Sequence, residues 1–314
     1  LAYNNVIDRS GARAMMPEEI SYDLIKKLIN ESVTLQAFRS IPVTRGQVRM
    51  PILSALPIAY FVNGDTGLKQ TTEADWENKY MNIEELACFV PIPEAVLEDL
   101  DIDLWEEIEP LVRNAIARTL DQAVLFGVGA PSEVWPTAIT VAAKEAGNYV
   151  TREAVPNGET GGIAGQISEL NGKVEEDGFA PDYAAAIITM KNRLRNARDK
   201  FGQKLPEVDD TQIYDAPVSY PARGLWPTPE KESPELLVLE KDQFIVGMRT
   251  DIETQIMDQA VIQDGEGNIV FNLAQQDMVA LRTRFRVGWQ VSNQITYDNP
   301  NAETRYAAGV MVHP

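Results

Sequence analysis

The stretch that most constrains the fold runs from Pro91 to Gly129, PIPEAVLEDLDIDLWEEIEPLVRNAIARTLDQAVLFGVG. From Asp103 onward Leu104, Ile108, Leu111, Val112, Ala115, Ile116, Thr119, Leu120, Ala123 and Val124 recur at three- and four-residue steps. That spacing gathers side chains on one stripe of an amphipathic helix. Asp101 and Asp103 are placed to cap its first amides, Glu106 and Glu107 suit the positive end of its dipole, and Gly127 and Gly129 close it. At about 1.5 Å per residue, a helix over 103–126 is roughly 36 Å long. Pro110 deletes one backbone hydrogen bond within it, so a kink near Glu106 to Pro110, or a helix start there, is expected. Periodicity alone describes the longest core helix of an ordinary domain.

Around this helix, 314 residues suffice for about two domains with a substantial core. No apolar run approaches the length of a helix that crosses a bilayer, and no membrane partner is expected. The 47 acidic residues outnumber the 28 basic ones and give a net charge of −19, which disfavours simple electrostatic gripping of a polyanion. A nearby nucleic acid would be enclosed rather than held. The single cysteine, Cys88, precludes an internal disulfide and fits a reducing compartment. Leu1 is not an initiator methionine, and the expectation is a start that follows processing or disordered residues.

Residues 1–16 lack a sustained period and read as an extended arm, and Met16-Pro17-Glu18-Glu19 opens a short helix through about Ser32. Val43 to Val62 is β-like, with Pro51 and Pro57 limiting its edges. The polar segment from Asn63 to Asp75 forms a loop tip, and Trp76 to Ile92 is a strand whose buried face carries Leu86, Cys88, Val90 and Ile92. Two strands flanking a polar tip make a long hairpin, and a compact monomer offers it no obvious surface to lie on. Further on, Gln166 to Glu176 reads as a helix and Ala184 to Thr189 as a buried strand. A basic helix over Met190 to Phe201 reads as a solvated face, and Leu236 to Leu239 and Phe244 to Met248 are short strands.

The second informative stretch is Asn268 to Gln294. Val279, Leu281, Thr283, Phe285, Val287, Trp289 and Val291 fall on one face of a strand, and Arg282, Arg284 and Arg286 on the other. A row of three arginines needs anionic partners if it is covered. It is either a solvent-facing strand or an inter-subunit contact.

Motifs that carry chemistry are missing from the sequence. The one histidine is His313, next to the chain's last residue, so a histidine-based triad would have to be built there. One cysteine and one histidine make no zinc pattern. Asp264 to Asn268 lacks the ligand spacing of a calcium loop and reads as a hairpin turn, and the GVGAP run at 127–131 lacks the lysine and hydroxyl of a phosphate loop. Carboxylate pairs abound without positional pattern. No cofactor, metal or catalytic residue is assigned, and the balance favours a structural role over an enzyme.

The order of arm, short helix, long hairpin, long helix, mixed domain, arginine strand and C-terminal return resembles the major capsid protein of tailed bacteriophages, the Hong Kong 97 fold. MPEEISYDLI at 16–25, the block from Trp76 through FVPIPEAVLEDLDIDLWEEIEPLVRNAIARTLDQAVLFG at 89–127, and DMVALRTRFRVGWQV at 277–291 carry the resemblance, which spans nearly the whole chain. It implies an α+β fold with an N-terminal arm and short helix at 1–45 and an extended loop at 46–90. A peripheral domain with the spine helix would follow at 91–180, an axial domain at 181–243, the second part of the peripheral domain at 244–297 and a return to the axial domain at 298–314.

The implied function is self-assembly as hexamers and pentamers into an icosahedral virion shell that encloses double-stranded DNA, built in the cytoplasm of a bacterial host. Scaffold, portal and cement proteins are the implied further partners, and the scaffold would be cleaved off before Leu1 or supplied separately. Each extended loop would lie over a neighbouring subunit, which gives the hairpin its missing surface. Arg282, Arg284 and Arg286 are then expected to meet Glu73, Asp75 or Glu77 of an adjacent loop. In the type member a loop lysine forms an isopeptide bond with a neighbour's asparagine, assisted by a glutamate. Lys69 stands at the lysine position, but Asp277 and Arg284 stand at the other two, so Lys69 is expected to be a loop-tip contact only. Two other readings stay open: an encapsulin-like compartment of the same fold, and a soluble acidic carboxylate-based hydrolase.

Overall fold

A computed structural model describes residues 32–57, 74–94, 104–131, 133–153, 162–198, 201–221, 224–227, 230–249, 253–263 and 267–314. Nearly all of the expected first helix, Lys69, Glu73 and the capping Asp101 and Asp103 lie outside the described residues.

The described chain begins with a five-residue helix, α1 (Val33–Ala37), followed by β1 (Arg39–Pro42). Strands β2 (Gln47–Ala55) and β3 (Asp75–Asn82) pair antiparallel as a two-stranded ribbon. After the single residue Ile83, β4 (Glu84–Pro93) leaves the ribbon and joins another sheet. The expected hairpin therefore ends earlier than the alternation implies, because one apolar series runs through two strands with different partners. Its buried-side residues are still Leu86, Cys88, Val90 and Ile92.

The long helix is α2 (Leu104–Asp121), prolonged by a π-helical turn at Gln122–Phe126 and ended by Gly127 in the left-handed conformation, φ 76°. It passes through Pro110, so the helix does not begin at the proline. Val112, Ile116, Leu120, Ala123 and Val124 are buried as expected, but Leu111 is 67% exposed and Ala115 and Thr119 are exposed as well. Those three are four residues apart and form one ridge at the border of the stripe, outside the arc that reaches the core.

The remaining elements are α3 (Ile139–Glu145), β5 (Tyr149–Thr151), α4 (Gly162–Glu176), β6 (Tyr183–Ala186), α5 (Met190–Arg195), β7 (Gln212–Ile213), β8 (Ala216–Ser219) and β9 (Pro234–Leu239). They are followed by β10 (Phe244–Met248), β11 (Glu253–Met257), β12 (Val261–Gln263), β13 (Ile269–Asn272), β14 (Met278–Val291) and β15 (Ala308–Val312). One sheet is organised on β14, which pairs with β10, β11 and β4, and β1 adds in parallel to β10. The other sheet has the order β5-β15-β9-β6-β8-β7. Strand β5 precedes residue 180 in the chain yet shares this sheet with β6 to β9, and α4 packs on β15 and β5. The larger apolar core joins both sheets to α2, and Phe244 links them by stacking on Phe38 at 5.0 Å and meeting Tyr306 edge-on at 6.1 Å.

Buried charges tie distant segments together. The Asp121 carboxylate is buried and accepts hydrogen bonds from the Ser32 hydroxyl (2.6 Å) and from the Val33 and Thr34 amides (3.0 Å each). It thus caps α1 across 88 positions of sequence, alongside the local cap from Ser32 to the Leu35 amide. Burial raises the Asp121 carboxyl above its ordinary range, opposed by these hydrogen bonds. The basic face of α5 is not simply solvated. Arg193 reaches Glu235, whose side chain is 2% exposed, at 3.0 Å, and Arg195 pairs with Asp210 at 2.8 Å. Arg152 holds the same Glu235 at 2.5 Å.

Among the described glycines, the closest approaches of neighbouring atoms occur at two. Gly247 and Gly288 face each other across β10 and β14. A Cβ on Gly288 would lie 2.2 Å from the Asn82 carbonyl oxygen, and one on Gly247 would lie 2.5 Å from the Met81 methyl. The pair makes a trough that receives the ribbon stem, where Met81 packs with Val43 and Met50 in a small second core.

Two outcomes follow for purified protein unfolded in urea. Gly288→Ala should lower stability by about 1–3 kcal/mol and open the ribbon to proteolysis, whereas Gly46→Ala, with nothing within 4 Å, should do neither. Asp121→Ala strands three buried donors and should cost about 2–4 kcal/mol, while Thr119→Ala on the exposed ridge should stay within about 0.5 kcal/mol of the parent.

Candidate assembly interface

Strand β14 alternates as expected. Leu281, Thr283, Phe285, Val287, Trp289 and Val291 are buried, and Arg282, Arg284 and Arg286 are half-buried on the opposite face. The antiparallel register with β4 sets Arg282 beside Phe89, Arg284 beside Ala87 and Arg286 beside Glu85, all on that outer face. Arg286 Nε donates to Glu85 Oε2 at 3.1 Å, and Arg284 Nη1 lies 3.9 Å from the same oxygen. The Arg282 guanidinium stands over the Phe89 ring, 5.9 Å from its centre. Phe89 is 44% exposed.

The ribbon lies on the same outer face, farther along β14. Its underside carries Met50, Ile52 and Met81, which are buried, and its upper side carries Trp76 and Tyr80, which are 62% and 50% exposed. Contacts with the body fix its direction. Asn82 crosses at Gly288, the Tyr80 carbonyl accepts from the Gln290 side chain at 3.0 Å, and Lys79 Nζ donates to the carbonyls of Val291 and Ser292 at 3.2 Å each. Beyond them the Tyr297 hydroxyl donates to the Pro57 carbonyl at 2.9 Å. Burial pushes the Lys79 pKa down, opposed by Glu77. The ribbon therefore runs from Gly288 toward and past the C-terminal end of β14.

The arginine row lies the other way. Arg282 is six residues before Gly288, about 20 Å along an extended strand, and Asp75 is seven residues from Asn82, about 23 Å in the opposite direction. Within one chain Arg282 and Asp75 are about 40 Å apart by this count, and the nearest pair of the two groups, Arg286 and Glu77, roughly 23 Å.

Of the residues singled out from sequence, the three arginines share one face as expected, and Asp75 and Glu77 are exposed on the ribbon. Lys69 and Glu73 are not among the described residues. Asp277 is exposed just before β14, at φ 48°. Glu85 and Phe89 were not legible as partners of the row. Their positions alternate with the buried series on β4, but only the long-range register places them opposite Arg286 and Arg282.

Known proteins of similar sequence and structure agree with this architecture. The chain is 22% identical over 299 residues to the major capsid protein of Staphylococcus phage 80alpha, covering 92% of this chain and 86% of that one. A solved chain from Microbacterium phage Oxtober96 is 32% identical with a TM-score of 0.76, covering 90% of this chain and 91% of its own. One from Mycobacterium phage Adephagia is 27% identical with a TM-score of 0.76 over 98% of both chains. The family model described as Phage capsid family matches residues 13–295. With that match over most of its length and these structural neighbours, the chain belongs to the phage capsid family and has a Hong Kong 97-type fold.

Proposed function

We propose that this chain is the repeating subunit of a virion head, assembling as hexamers and pentamers into an icosahedral shell around double-stranded DNA in the cytoplasm of a bacterial host. The observation that carries this reading, beyond family membership, is the ribbon. Near its stem the underside packs on the chain's own body, while farther out Asp75 and Glu77, and Trp76 and Tyr80 on the upper side, are exposed. Exposed aromatics on a rigid extended element are a contact surface for a partner. In a shell that partner is another copy, and many moderate contacts closed by symmetry replace one strong site.

The charge fits enclosure. A subunit with a net charge of −19 holds DNA by walling it in, with little adhesion to phosphate. Scaffold, portal and cement proteins are the other partner classes in this reading, and the shell does no enzymatic work. Cross-linking through Lys69 is not part of it. Asp277 supplies no amide leaving group, and Arg284, where a general base would be needed, is a cation beside Glu85.

Sedimentation velocity and negative-stain imaging of the purified protein test the reading. Shells, capsomers or tubes are expected, and a monomer or dimer under all conditions would refute it. Particles isolated with their contents should hold double-stranded DNA, where a compartment shell would hold a protein cargo. Boiled and reduced, the shell subunit should run as a monomer, and a ladder of its multiples would reinstate covalent linkage.

A further inference from the structure

We infer that Arg282, whose guanidinium stands over the Phe89 ring, is the point at which one copy of the chain receives the ribbon carboxylates Asp75 and Glu77 of the next, and that Glu85 keeps Arg284 and Arg286 out of that contact. The inference rests on the shell reading and assigns unequal roles within a row of three like residues.

The division comes from both strands that flank the row: β11 sets Glu253 opposite Arg284 and the neutral Gln255 opposite Arg282, and β4 does the rest. Glu85 is the one acid directly opposite the row in the β4 register, and it is taken by Arg286 at 3.1 Å and Arg284 at 3.9 Å. Among the described residues Arg282 has an aromatic neighbour and no carboxylate. A guanidinium attracted to a ring face spends no N–H donor on it, so its N–H groups stay available for a two-point contact with a carboxylate. Phe89, 44% exposed, would be covered by the same partner and would shield the ion pair from water.

The identity of the partner comes from direction. The ribbon carries Asp75 and Glu77 away from the row, to roughly 36–43 Å from Arg282 within the chain. Glu77 stands near the lysine that pins the ribbon, and Asp75 accepts from the Trp76 amide at 2.8 Å, so both sit on an ordered strand. A rigid ribbon pointing one way and its receptor lying the other way describe a head-to-tail contact. Such contacts use two different patches and close into rings when the rotation permits. A second copy, presenting the same acids, is the occupant.

The test is assembly of charge variants from folded subunits, with circular dichroism confirming the fold of each. Arg282→Glu should raise the protein concentration at which particles form by at least about tenfold, since losing one desolvated charge contact per interface is felt at every interface of the shell. Combining it with Asp75→Arg and Glu77→Arg should restore much of the loss. Arg286→Ala should leave that concentration within about twofold, because its charge is neutralised within its own chain. Normal assembly of Arg282→Glu, an equal defect in Arg286→Ala, or no rescue by the swapped acids would overturn the assignment. Failure of the parent protein to form particles would instead overturn the shell reading.

Discussion

The arrangement of this subunit depends on how closely the Met81–Ile83 segment approaches the sheet beneath it. Only a cross-strand pair without side chains leaves room for it, and Gly247 opposite Gly288 is that pair. The crossing does two things at once. It seats Met81 in a small core with Val43 and Met50, and it hands the chain from a ribbon lying over β14 to a strand hydrogen-bonded along β14. Both the ribbon's heading and the register that brings Glu85 to Arg286 follow from that one crossing. A side chain at Gly288 would disturb the outward contacts and the internal ion pairs together.

The rest of the body acts as a platform for this element. Its core is continuous from α2 through both sheets, and buried polar groups lock segments that apolar packing alone would leave free to slide. Asp121 ties the end of the long helix to the start of α1. Asp177 does the same for the C-terminal return, accepting from Asn148 at 2.7 Å, Asn299 at 2.6 Å and the Tyr306 amide at 3.0 Å. Glu235, on β9 of the second sheet, gathers Arg152 and Arg193. Groups of this kind specify geometry more than they add stability, because removing one partner strands the others. A tile whose contacts repeat around a shell needs that fixed geometry.

Much of this was legible in the residues and some was not, for identifiable reasons. The helix from Leu104, the strand from Met278 and the two faces of β14 follow from short-range periodicity, which the fold obeys because each element buries one face. The break at Ile83 was hidden, since an alternating series looks the same whether it forms one strand or two. Leu111, Ala115 and Thr119 read as core because they border the stripe, and only the packing partners show where its edge falls. The candidate contact residues were recognised as a set, but their division was not. Which arginine is neutralised at home depends on the register between β4 and β14, a pairing of segments nearly two hundred positions apart that no local pattern encodes.

The central claim is that the ribbon points away from its own arginine row, so that acids and arginines meet only between copies. A cryo-electron microscopy map of assembled particles, at a resolution that traces side chains, tests it most directly. The account predicts that the carboxylates nearest Arg282 are Asp75 and Glu77 from the ribbon of an adjacent copy, with Glu85 of the same chain on Arg286. A ribbon folded back over its own row, or an Arg282 that faces solvent in every copy, would contradict it.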